Sequence, residues 1–201
     1  MQELIGLIDC LAGIFDRLRL RHAFGGALAN NYWGIVRATQ DVDCLVLIPA
    51  LAWQPLADEL AANEFVLHDD ADNEQAITFS LLRAQAEKQK LMELWRHGIR
   101  AELFLPVLPL QDEILRRAVP MPFQKRSIPI TTAEDLVLLK MAFHREKDLI
   151  DVRGILWVRR GQLDIRKYGL FDCIFVMRAD ADPNVIAAFQ VYSRRAARDL
   201  E

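Results

Sequence analysis

Cysteine is scarce in this sequence of 201 residues. Cys10, Cys44 and Cys173 are odd in number, far apart, and never in Cys-x-x-Cys spacing. That pattern excludes a disulfide framework and a thiolate metal centre. Long hydrophobic runs are missing too, so no stretch reads as a membrane span. The N-terminal segment is interrupted by Glu3, Asp9 and Asp16. It lacks a basic leader and a small-residue cleavage site, and so does not read as a signal peptide. There is no internal repeat and no low-complexity linker. These absences point to a cytoplasmic chain with no membrane partner.

What is present is a globular composition, 52% hydrophobic and 26% charged. The length allows one sizeable core, or a core domain with a small helical appendage. The net charge of -3 is unevenly spread. Residues 1–100 hold 9 Lys/Arg against 14 Asp/Glu, and residues 101–201 hold 16 against 14. That tilt weakly favours a C-terminal half able to meet phosphates.

Apolar residues from Leu4 to Leu18 recur at helical spacing, which predicts a helix over 2–20. A short strand to Phe24 follows, broken by Gly25-Gly26. "ALANNYW" then reads as a helix closed by a left-handed Gly34. "VDCLVLI" is the clearest strand, stopped by Pro49, and Pro55 suits the opening of a helix to about Ala62. Residues 65–68 and 77–83 read as extended, "AQAEKQKLMELW" is open between helix and strand, and "IRAELFLP" is a strand. The second half turns helical. One helix is predicted over 109–118, and another is capped by Thr131 with Glu134 three residues on, as in a capping box. A last helix is expected from Asp182-Pro183. The layout is thus an α/β (α+β) core over 1–120 and a mainly helical portion over 121–201, divided near Pro120 and Pro122.

Asp41 and Asp43 stand directly before an apolar run. Strand side chains alternate, so both carboxylates share one face while Val42 and Cys44 take the other. Two ionised carboxylates beside a buried strand are costly unless water or a cation compensates. Mg²⁺ suits them, since it takes hard oxygen ligands from one or two carboxylates plus substrate phosphates. Alone, Asp-x-Asp reads as two solvated residues at a strand's mouth. Gly25-Gly26 changes the context. Glycine admits a ligand close to the backbone, and a helix start offers N–H groups to an anion.

A Gly-Gly turn, fourteen intervening residues and then Asp41-Val42-Asp43 together resemble the signature of the nucleotidyltransferase superfamily that includes DNA polymerase beta. The resemblance implies that superfamily's mixed sheet flanked by helices, and a third carboxylate on a later strand. Glu102 in "IRAELFLP" stands at that position, where the family usually has aspartate. "RATQDVD" further resembles the Arg-x-Thr-x-Asp-x-Asp form of the AbiEii/AbiGii-type toxins, which adds Arg37 and Thr39 to the nucleotide-binding set. "TAEDLVLLKMAFHREKDLIDVRGIL" is similar to the later motif of that group, carried here by Lys140, Arg145, Lys147, Asp148 and Asp151. Two departures stand out: Gly-Gly replaces the common Gly-Ser, and Glu146 replaces a proline.

On a continuous helix Lys140, His144, Lys147, Asp148 and Asp151 fall on one stripe. If the helix breaks near Glu146, Asp148 becomes an N-cap and its role, like that of Asp151, is open between function and structure. Lys140 lies in an apolar stretch and should reach an anion or snorkel outward. His144 has no second histidine to form a metal site with, and the four tryptophans read as core or rim aromatics.

The resemblance therefore implies transfer of an NMP from an NTP to an acceptor hydroxyl with release of pyrophosphate. Asp41, Asp43 and Glu102 would hold a two-metal Mg²⁺ site and do the catalysis. Gly25, Gly26, Arg37, Thr39, Lys140, Lys147 and Asp148 would bind the nucleotide. RNA or a tRNA end is the implied acceptor, with an antitoxin protein as a possible partner. A small-molecule, antibiotic-modifying transferase and a non-catalytic interaction protein on the same fold are the alternatives.

Overall fold

The computed structural model describes residues 2–69 and 71–164, so the helix expected from Asp182-Pro183 lies outside the described residues. The chain divides into two units. The first comprises Met1–Leu28 and Ala38–Thr131; the second is Ala29–Arg37 with the described residues from Thr132 onward. Among the described residues no helix is long and apolar enough to cross a membrane.

The first unit is built on one mixed sheet. Its strands are β1 Arg21–Phe24, β2 Asp41–Leu47, β3 Val66–His68, β4 Glu74–Ala76, β5 Leu91–Arg96, β6 Ile99–Phe104, β7 Val119–Phe123 and β8 Arg126–Ile130, in the spatial order β4-β3-β5-β6-β2-β1-β8-β7. The β2/β6 and β1/β8 pairs are parallel and the others antiparallel. Helix α1, Gln2–Arg17, buries Leu7, Leu11, Ile14 and Phe15 and packs on β2 and β6. Val42, Cys44, Ala101, Leu103, Met92 and Leu94 are all buried on the corresponding strands. Their alternation with half-exposed neighbours is what leaves the opposite face of β2, β6 and β5 for polar groups.

Three local expectations need correction, and one open stretch is resolved. The first helix stops at Arg17, and Arg19 takes a positive φ of 52° to turn the chain into β1. Residues 77–83 are not extended: Thr78 accepts a hydrogen bond from the Leu81 amide and opens a helix over Phe79–Gln89. The ambiguous stretch after it is both helix and strand, divided at the left-handed Lys90. The segment 119–130 forms the β7–β8 hairpin, and Pro120 and Pro122 are accommodated because β7 is an edge strand.

In the second unit, helices run over Ala133–Phe143 and Glu146–Val158, labelled here α6 and α7 after α2 Gly26–Trp33, α3 Trp53–Ala62, α4 Phe79–Gln89 and α5 Pro109–Arg117. The cap of α6 is Thr132, one residue beyond the expected Thr131; its hydroxyl accepts from the Asp135 amide and donates to the Asp135 carboxylate at 2.8 Å. A continuous helix through 140–151 does not form, because His144 adopts a φ of 53° and ends α6. Gly34 is not a left-handed cap either, since its φ is not among the positive ones. A Cβ there would meet Ile155 Cγ1 at 3.0 Å and the Ile155 amide at 3.2 Å, so its glycine serves close packing against α7.

Candidate functional site

The parallel register of β2 on β6 sets Asp41 beside Arg100 and Asp43 beside Glu102. The antiparallel register of β5 on β6 sets Glu93 opposite Glu102 and Trp95 opposite Arg100. Because side chains keep to one face across paired positions, Asp43, Glu102 and Glu93 form one row over three strands. Asp41 and Arg100 lie in the row next to it. The three predicted carboxylates, from positions 41, 43 and 102, are therefore brought together on one accessible face. Asp41 and Glu102 are about a third and a fifth exposed, at 33% and 18% of their side chains.

Arg100 is tied to both. Its Nη2 lies 3.4 Å from Asp41 Oδ2 and 3.0 Å from Glu102 Oε1. Thr39 steadies the same aspartate from the loop before β2, its hydroxyl donating to Asp41 Oδ1 at 2.7 Å. Asp43 points at the turn between β1 and α2. A Cβ on Gly26 would fall 1.6 Å from Asp43 Oδ2, and Gly26 has a φ of +51°, so both sterics and backbone require glycine there. The Gly25 amide donates to the Asp43 carbonyl at 2.9 Å, which pins this turn to β2.

No group of three or more His, Cys, Asp or Glu side chains among the described residues is gathered into a ready-made metal cage. The donor set nevertheless fits a hard divalent cation. Asp41 and Glu102 already reach one and the same guanidinium nitrogen, so their oxygens can share one positive centre. Mg²⁺ asks only one or two carboxylates of a protein when substrate phosphates and water complete its shell.

The residues of the later motif meet in the second unit. Arg37 forms a bidentate pair with Asp151, Nε to Oδ1 and Nη2 to Oδ2, both at 2.9 Å. Lys140 is buried and donates to Asp151 Oδ2 at 2.6 Å, with Asp148 Oδ1 at 3.5 Å. Arg145 donates to Asp148 Oδ2 at 2.6 Å. Burial would raise the Asp151 carboxyl, but hydrogen bonds from Arg37 and Lys140, with their charges, hold it below the usual carboxylate range. Lys147 is exposed on α7. Asp148 sits in the first turn of α7 with Arg145 at the cap position, so it is not the N-cap. Lys140 thus neither snorkels nor stands alone, because two buried carboxylates meet its ammonium.

Sequence reasoning missed Arg100 and Glu93. Arg100 was readable as the residue two before Glu102, hence on its face. Glu93 follows from the turn: His97 and Gly98 both have positive φ, as a two-residue hairpin turn requires, and that turn sets Glu93 opposite Glu102.

No protein-family model and no curated protein matches the chain. Solved structures do. An antigenic nucleotidyltransferase-like protein from Paracoccidioides brasiliensis aligns over 94% of this chain and 93% of its own, with a TM-score of 0.57 at 16% identity. ANT(2")-Ia, in complex with adenylyl-2"-tobramycin, aligns over 88% of this chain and 97% of its own, with a TM-score of 0.54 at 11% identity. The chain has the nucleotidyltransferase fold.

Proposed function

We propose that the protein is a Mg²⁺-dependent nucleotidyltransferase that moves an NMP from an NTP to an acceptor hydroxyl. The observation that carries this reading is the register that sets Asp43 beside Glu102 with Asp41 one row away, on the accessible face of a nucleotidyltransferase fold. Asp41, Asp43 and Glu102 would hold the cation, which supplies charge neutralisation at the reacting phosphate.

The chain's own residues do the rest. Gly25 and Gly26 let phosphates approach the backbone at the start of α2. Glu102 takes the proton of the acceptor hydroxyl as its oxygen bonds to the α-phosphorus; the bond to the β-phosphate oxygen breaks and pyrophosphate leaves. Thr39 serves by orienting Asp41. Arg37, Lys140, Lys147 and Asp148 enter as nucleotide-side residues through the AbiEii/AbiGii resemblance, and the ion network adds an order among them: Asp151 holds the Arg37 guanidinium in place and is itself bound by Lys140.

For the acceptor, the two toxin-like motifs favour RNA, a tRNA end in particular, with an antitoxin protein as partner. The structural match to a protein solved with adenylyl-2"-tobramycin favours a small hydroxylated molecule. Incubation with each α-labelled NTP, Mg²⁺ and either total RNA or an aminoglycoside panel separates them. Label on RNA, lost steeply as salt rises, supports the first; salt-tolerant label on the small molecule supports the second. No labelled product from any NTP contradicts both.

A further inference from the structure

We propose that Arg100 is a built-in counter-ion occupying the place of a divalent cation between Asp41 and Glu102, and that it sets how tightly the site takes a metal. This rests on the nucleotidyltransferase reading of the same carboxylates.

The row Asp43–Glu102–Glu93 puts acids at adjacent positions on three neighbouring strands. Like charges directly opposite each other destabilise a sheet, and Asp41 adds a fourth carboxylate in the next row. Arg100 answers this from within the sheet. Standing two residues before Glu102, it places a single nitrogen 3.0 Å from Glu102 and 3.4 Å from Asp41. The Arg100 guanidinium thus supplies the positive charge that Asp41 and Glu102 share when no metal is bound. A divalent cation held by Asp41 and Glu102 would compete for the carboxylate oxygens that Nη2 contacts. Arg100 is 35% exposed, and a long side chain at a water-facing pair can swing out when the cation arrives. The same residue therefore holds the acids together without metal and competes with it.

The test uses the full chain and Mn²⁺ as the probe, titrated by calorimetry into wild type, Arg100→Gln and Arg100→Lys, with thermal melts in EDTA and in Mn²⁺. Arg100→Gln should bind Mn²⁺ about tenfold tighter or more, since an opposing charge within ion-pair range is gone. It should also melt lower than wild type in EDTA and recover in Mn²⁺. Arg100→Lys keeps the charge and should stay near wild type in both readouts. Equal or weaker Mn²⁺ binding by Arg100→Gln, with NMP transfer by wild type still metal-dependent, overturns the role of Arg100 alone. Absence of Mn²⁺ binding in every variant, with no metal-dependent transfer, overturns the metal site and this inference with it.

Discussion

Gly26 and Asp43 are seventeen positions apart yet share one small volume, because the Asp43 carboxylate lies where any Cβ on residue 26 would go. Replacing Gly26 by alanine must both displace that carboxylate and hold a side chain at φ +51°. The backbone part costs about 1–2 kcal/mol. The displaced carboxylate should lower NMP transfer by roughly 100-fold. Thermal melts and labelled-NMP assays on Gly26→Ala read the two effects separately, and a variant with wild-type transfer would show that Asp43 need not keep this position.

Asp151 supplies a second single-residue prediction. Its carboxyl is held below the usual range by Arg37 and Lys140 despite burial, so the native state favours the ionised form. The stabilisation is fully present above the unfolded carboxyl's pKa of about 3.9 and is lost as pH falls through the lower folded value. Urea unfolding should therefore show Asp151→Asn much less stable than wild type at neutral pH, where Lys140 and Arg37 lose their anionic partner. Breaking such a buried pair costs about 3 kcal/mol. The gap should narrow as pH drops below about 4 and close below the lower folded pKa, where native wild type loses the same charge. A gap independent of pH would place the effect in packing rather than charge.

Among the elements, α6 depends on a cap that works twice. Thr132 accepts from the Asp135 amide and donates to the buried Asp135 carboxylate. Thr132→Ala should cost about 1–2 kcal/mol by denaturant unfolding, and Thr132→Ser should cost little, since serine keeps both bonds. The sequence suggested this capping pattern one residue early, because Thr131 and Thr132 both have an acid three residues on and only the chain's path chooses between them. Thr131 is drawn the other way, its amide donating to the Phe24 carbonyl in β1.

Strands with strong alternation were legible for a plain reason. In β2 and β6 one face is buried and the other carries charge, so the period of two is unbroken from Asp41 to Cys44 and from Arg100 to Leu103. The β7–β8 hairpin was not legible because its three prolines argue against a strand; Pro120 and Pro122 are tolerated because β7 is the sheet edge. The break at His144 was equally hidden. A histidine in a left-handed conformation has no local signal, and here it ends α6 so that Lys140 can meet Asp148 and Asp151 of α7.

Taken whole, the first unit carries three carboxylate-bearing strands and the glycine turn, and the residues that meet there come from three distant stretches of chain. Motif spacing placed Asp41, Asp43 and Gly26 in the candidate site; strand character added Glu102; the cross-strand partners Arg100 and Glu93 became visible only once register was known. All of the proposed chemistry depends on those carboxylates holding divalent metal at the phosphate. Transfer of NMP from α-labelled NTP in Mg²⁺ by Asp43→Asn, with a thermal melt on the same sample, examines that dependence without changing side-chain size. The expected result is a folded protein whose transfer falls about 100-fold or more. A folded Asp43→Asn protein that transfers NMP at the wild-type rate would contradict it.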